Sequence, residues 1–99
     1  MSRVARYAKL VAHPGRGREL AGFLLTAAAD LADEPGCQLY LVNHQAGEPD
    51  LIWVTEIWRS QADLDASIER LRGNEDVAAV MALVRESEMV ELELLGGKG

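Results

Sequence analysis

The sequence predicts an α+β domain of ferredoxin-like type, β-α-β-β-α-β, with a four-stranded antiparallel sheet carrying its helices on one face. Three observations predict it. The stretch from Pro35 to Ser60 reads as two strands joined by a tight polar turn at Ala46–Asp50, where Gly47 and Pro49 supply the bend. Apolar residues recur at three- and four-residue spacing on both sides of this hairpin, which is the period of a helix with one buried stripe. Both parities of the hairpin are apolar. Leu51, Trp53 and Ile57 share one face and Ile52, Val54 and Trp58 the other, just as Leu39 and Leu41 oppose Tyr40 and Val42. A hairpin with one face in water shows apolar residues on one parity only, so both faces here require a cover.

The elements follow in order. Residues 3–12, RVARYAKLVA, form a first strand that the HPGRG run ends. A helix begins near Arg16–Arg18 and buries Leu20, Phe23, Leu24, Ala27 and Leu31; Glu34-Pro35-Gly36 stops it. After the hairpin, Ser60 with Asp63 three residues on resembles a capping box. The helix from Gln61 to about Arg72 carries Leu64, Ile68 and Leu71 on one face. Asn74 caps a short third helix with Val77, Val80, Met81 and Val84. A last strand covers Ser87 to Leu95, with Val90, Leu92 and Leu94 alternating against Glu91 and Glu93, and residues 95–99 form a flexible tail. The whole of 1–99 reads as one domain.

Helices on one side leave the second sheet face apolar, and no further element remains to cover it. A second copy of the same face is the expected cover, which makes the protein a homodimer; a monomer with a modest apolar patch is the alternative. The chain carries 10 basic and 16 acidic residues, a net charge of −6, which argues against nucleic acid or an anionic membrane surface as partner. Its one cysteine, Cys37, forms no internal disulfide, and no apolar run is long enough to span a bilayer, so a cytoplasmic location is expected.

Few residues carry chemistry. His13 and His44 lie far apart with no carboxylate at ligand spacing, so no metal site is expected. Cys37 reads as a small hydrophobe at a strand start. The run HPGRG is a turn rather than a phosphate cradle. Trp53 and Trp58, five apart, point to opposite faces, one toward the helices and one toward the partner sheet. Glu56 shares the parity of Trp58 between Val54 and Trp58, and a carboxylate on such a face needs a partner, for which Arg6, Lys9 and Arg59 are available.

The run EPGC at 34–37, the motif Glu56-Ile57-Trp58-Arg59-Ser60 and ADLDA at 62–66 resemble the antibiotic biosynthesis monooxygenase family, and the order of elements extends the likeness across nearly the whole chain. The resemblance implies a dimeric α/β barrel with a substrate cavity between sheet and helices. It also implies cofactor-independent oxygenation of quinols or polyketide aromatics, haem degradation, or a small stress-associated role. Quinol-oxidising relatives carry histidines where this chain has Ser67 and Arg72. The haem-degrading branch places an asparagine, a tryptophan and an axial histidine where Tyr7, Ser67 and Val77 stand, so iron-ligated haem is not expected.

The resulting expectation is a cofactor-independent monooxygenase for a quinol-like or polycyclic aromatic molecule. Glu56 or His44 is the candidate base, Trp58 the candidate pocket wall, and Asn43, Tyr40 and Ser67 the candidate substrate-binding groups, with no cofactor. The alternative is a non-catalytic small-molecule-binding or scaffold homodimer that keeps the cavity.

Overall fold

In the computed structural model, which describes residues 3–98, strand β1 (Arg3–Ala12) leads into helix α1 (Gly17–Asp30). The turn between them uses Gly15 at φ +79°, a left-handed conformation that glycine adopts without a steric penalty. The hairpin follows as β2 (Cys37–Gln45) and β3 (Glu48–Trp58), then α2 (Gln61–Leu71), α3 (Glu75–Leu83) and β4 (Val84–Leu94). The order is β-α-β-β-α-α-β, the expected frame with the short third helix in place. The four strands form one antiparallel sheet in the order β2-β3-β1-β4. Among the described residues no helix is long and apolar enough to cross a membrane.

Two boundaries differ from the expectation. The hairpin turn is Ala46–Gly47 alone, with Gly47 at φ +80°, and Gln45 pairs with Glu48. Pro49 and Asp50 therefore belong to β3. Pairing between β1 and β3 runs only as far as Val11 and Leu51, so a proline two residues beyond withholds no N–H from β1. The last strand starts at Val84 rather than Ser87, because α3 passes into it without a loop and a register shift next to Ala12 takes up the extra residue. The tail begins after Leu94, and Leu95 is fully in solvent; Gly99, like Met1 and Ser2 at the other end of the predicted domain, lies outside the described residues.

The register assigns each strand residue a face. On the helix side stand Val4, Arg6, Ala8, Leu10 and Ala12 of β1, Tyr40 and Val42 of β2, and Ile52, Val54, Glu56 and Trp58 of β3. Leu20 and Leu24 of α1 and Leu83 of α3 pack with Ala12, Ile52 and Val54 into one core. The opposite side presents Tyr7, Leu41, Trp53, Val90 and Leu92, all exposed, around the smaller Ala5, which its neighbours bury. The two tryptophans fall as the parity predicts: Trp58 is 1% exposed toward the helices and Trp53 is 40% exposed on the open face.

Candidate active site

The helix side of the sheet carries one polar row. Register places Tyr40 of β2, Glu56 of β3, Arg6 of β1 and Glu91 of β4 side by side across all four strands. The neighbouring row is Cys37, Trp58, Val4 and Glu93. Residues two apart on a strand share a face, so Glu56 and Trp58 are adjacent. The indole Nε1–H of Trp58 donates to Glu56 Oε1 at 3.0 Å. That bond is the main answer to what a carboxylate does at 9% exposure among apolar neighbours. Of the three cations proposed to serve it, Lys9 lies on the other face, 5.8 Å from the Trp53 ring centroid, and Arg59 is engaged by Asp63. Arg6 is beside Glu56 in register, but its guanidinium donates to the thioether of Met89.

The second oxygen of Glu56 accepts no hydrogen bond from the described residues, and among these residues no fully buried side-chain oxygen or nitrogen lacks a partner. Burial, with a further contribution from the Glu56 charge that Arg6 partly offsets, pushes the Tyr40 phenol up to about 12, so it stays a neutral donor through the physiological range. Cys37 is also pushed up, chiefly by burial, and its thiol faces the Leu39 carbonyl oxygen at 3.6 Å, which makes it a poor nucleophile.

Helix α2 packs on β3 and is set by the motif residues themselves. Ser60 is its N-cap: Oγ accepts from the Asp63 amide at 3.2 Å and donates to Asp63 Oδ2 at 2.8 Å. Arg59 grips the same carboxylate through two bonds of 2.8 and 2.9 Å, and these contacts, the arginine's first, hold the Asp63 carboxyl below its usual range. Gly36 fits against this corner, since a Cβ there would meet Asp63 Cβ at 2.5 Å. Glu34 pairs with Arg70 on the far turn of α2. The runs 34–37, 56–60 and 62–66 thus converge to seat α2, which buries Leu64 and Ser67.

Of the six residues singled out from the sequence, Tyr40, Glu56 and Trp58 come together on the helix side, with Ser67 buried on the helix that packs there. The other two do not join them. Asn43 pairs with Trp53 and so faces the open side. His44 is exposed and pairs with Ile52, four residues along β3 from Glu56, or about 13 Å at strand rise. Tyr7 also lies on the open face, away from Ser67. Arg6 and Glu91 complete the row; alternation along β1 and β4 holds the signal for them, but only the register sets them beside Glu56. Two concavities stand out elsewhere. One of about 560 Å³ lies at the hairpin end of the sheet, bordered by Lys9, Asp50 and Arg85, and one of about 240 Å³ lies on α1 around Phe23.

Fold and row together define a ferredoxin-like domain with a buried carboxylate, held by one indole, on the helix side of its sheet. The chain belongs to the antibiotic biosynthesis monooxygenase family, whose model matches residues 3–72. It is similar to the structure of a protein from Chloroflexus aurantiacus J-10-fl assigned to the same family, at 30% identity, covering 99% of this chain and 98% of that one with a TM-score of 0.84. A protein from Deinococcus radiodurans with the same assignment is 22% identical over 97% of this chain and 96% of its own, with a TM-score of 0.80. A variant of SnoaB, a cofactor-independent oxygenase from Streptomyces nogalater, shares the fold at 15% identity and a TM-score of 0.84, covering 98% of this chain and 97% of that one. A search of curated proteins returns no match.

Proposed function

We propose that the protein is a cofactor-independent monooxygenase for a quinol-like or polycyclic aromatic molecule and that it works as a homodimer joined through its open sheet faces. The observation that carries the proposal is the buried carboxylate of Glu56, with one oxygen anchored by the Trp58 indole and the other accepting no hydrogen bond from the described residues. Oxygenation without a cofactor requires a substrate that donates an electron to O₂ once it is deprotonated, so the protein's part is a base, an orienting donor and a water-poor site. Glu56 is the base, Tyr40 the neutral donor beside it, and Trp58 the residue that fixes the carboxylate. Ser67 leaves more room on the helix side than a bulky ring would. For an anthrone-type substrate the balance is one methylene and one O₂ giving one ketone and one water. Family membership and the reducing cytoplasm suggested by the lone Cys37 are consistent with this reading.

A second reading is a binding or scaffold dimer without turnover. The observation in its favour is that neither of the two concavities described above is lined by Glu56, Tyr40 or Trp58. Oxygen uptake with reduced quinols and anthrones, without added metal, flavin or nicotinamide, separates the two. The oxygenase consumes O₂ and Glu56→Gln slows it by about 100-fold or more, the usual contribution of a positioned base. The binder quenches tryptophan fluorescence with the same compounds and consumes nothing above background. A panel that yields neither uptake nor quenching overturns both.

A further inference from the structure

Among the register positions on the helix side of the sheet, Arg6 is the only cationic residue. It has Glu56 on one side and Glu91 on the other, yet it forms no ion pair within the described residues. Its Nε donates to Met89 Sδ at 3.0 Å, and a terminal nitrogen turns to the same sulfur. A thioether is a weak acceptor, whereas a guanidinium presents a planar fork suited to an anionic oxygen. Met89 is itself 49% exposed, and Ser87, Glu91 and Glu93 around it on β4 are exposed as well. These exposed side chains leave the β4 end of the row open to solvent beside Arg6.

We propose that Arg6 is a substrate-positioning residue that displaces its contact with Met89 to bind the oxyanion of an ionised phenol or enol, selecting aromatic substrates that carry an acidic hydroxyl. The assignment rests on the oxygenase site described above and adds its anion-holding half. The step is a proton transfer. The substrate O–H bond breaks, the proton passes to Glu56 Oε2, and the electron pair stays on the oxygen, where the guanidinium holds it. A carboxylate is ordinarily a poor base for a phenol, which in water is a much weaker acid than a carboxylic acid. A cation at the oxyanion narrows that gap in the way an arginine lowers a neighbouring carboxyl. The titratable groups facing the bound oxygen are Tyr40, Glu56, Glu91 and Glu93; the three carboxylates oppose its ionisation, and the neutral Tyr40 hydroxyl is a donor that favours it.

The test uses the intact protein with alizarin, whose colour reports its ionisation, and with the dimethyl ether of alizarin as a control that cannot ionise. The expected result is a bound alizarin whose ionisation is lowered by about 1–2 units against the free dye. Arg6→Met and Arg6→Gln abolish the shift, Arg6→Lys keeps part of it, and Glu56→Gln deepens it by removing a negative neighbour. The ether binds the wild type and Arg6→Met equally, a readout that a merely structural role for Arg6 would not preserve. A full shift in folded Arg6→Met or Arg6→Gln overturns the assignment and leaves the pocket standing. Binding of neither dye nor ether by the wild type overturns the pocket and this assignment together.

Discussion

The two faces of the sheet are built from the same four strands, often from adjacent residues, and they meet different fates. Ile52, Val54 and Trp58 are sealed under the helices, while Trp53, their neighbour in sequence, lies half open beside Lys9 and donates to Gln45 Oε1 at 3.2 Å. The closed face holds its carboxylate with an indole and has a near-complete core. The open face is as apolar in composition but has no cover among the described residues. Apolar surface left in water forfeits about 25 cal/mol per Å², so a face of this kind is a standing drive toward association. The difference teaches that apolarity alone does not single out a candidate site: only the closed face combines burial with a polar row.

The largest effect expected from this contrast is in the tryptophans. Trp58→Ala should cost about 3–5 kcal/mol of stability, because it empties a filled site and strips Glu56 of its donor. Trp53→Ala should leave the folding of the single chain within about 1 kcal/mol, since the ring is already in solvent there. Urea unfolding of both variants at low protein concentration gives the comparison, and equal losses would erase the distinction between the faces.

Association comes next. Sedimentation equilibrium should give twice the 10.8 kDa chain mass for the wild type. Leu41→Glu or Val90→Glu places a charge on the apolar centre of the open face and should weaken the dimer by several kcal/mol, to the point of a monomer at micromolar concentration. The same substitutions should leave the helix-side core intact, with an unchanged far-ultraviolet spectrum. A wild-type monomer would break the pairing of open faces while leaving the chain fold as described.

A smaller effect separates the faces by pH. Tyr40 has its ionisation raised from 10.0 to about 12, so its contribution to stability is complete below the unfolded value and declines as pH rises from 10 toward 12. Near-ultraviolet titration should show one tyrosine ionising in that late range, and Tyr40→Phe should remove it. The smallest effect lies at the end of the hairpin. The amides of Gly15 and Gly17 donate to Asp50 at 3.0 and 2.8 Å and hold its carboxyl below the ordinary 3.8. The depressed value means this contribution is present above 3.8 and disappears as pH falls through the folded value. Asp50→Asn should flatten the acid limb of the thermal unfolding profile slightly. An unchanged limb would show that the clamp carries no weight.

Much of this was legible from residue order because strand and helix periods are local. The alternation at 51–58 assigned the faces before any contact was known, and Ser60 and Asn74 announced their helices, the latter accepting from the Asp76 amide at 2.7 Å. Pro49 and Asp50 misled as turn residues because their tolerance in a strand depends on where β1 stops and on what Asp50 meets in the first loop. Gly17 is of the same kind: a Cβ there would sit 1.9 Å from the Pro49 carbonyl oxygen, a constraint from a residue 32 positions away. Asn43 and His44 sit beside each other in sequence but serve no common site, one by face and the other by distance along the strand.

By itself the sequence determined the type and order of the elements, the parity of each strand and the family motifs, since each depends on spacings of two to four residues. The tertiary structure alone decided which residues share a row. Tyr40, Glu56, Arg6 and Glu91 are separated by as many as 85 positions and become neighbours only through the strand order β2-β3-β1-β4 and its register. A shift of one residue in any pairing would send a side chain of that row to the other face, because side chains alternate with a period of two. The candidate site is therefore a property of the sheet's registration, held by the burial of Ile52, Val54 and Trp58 beneath the helices.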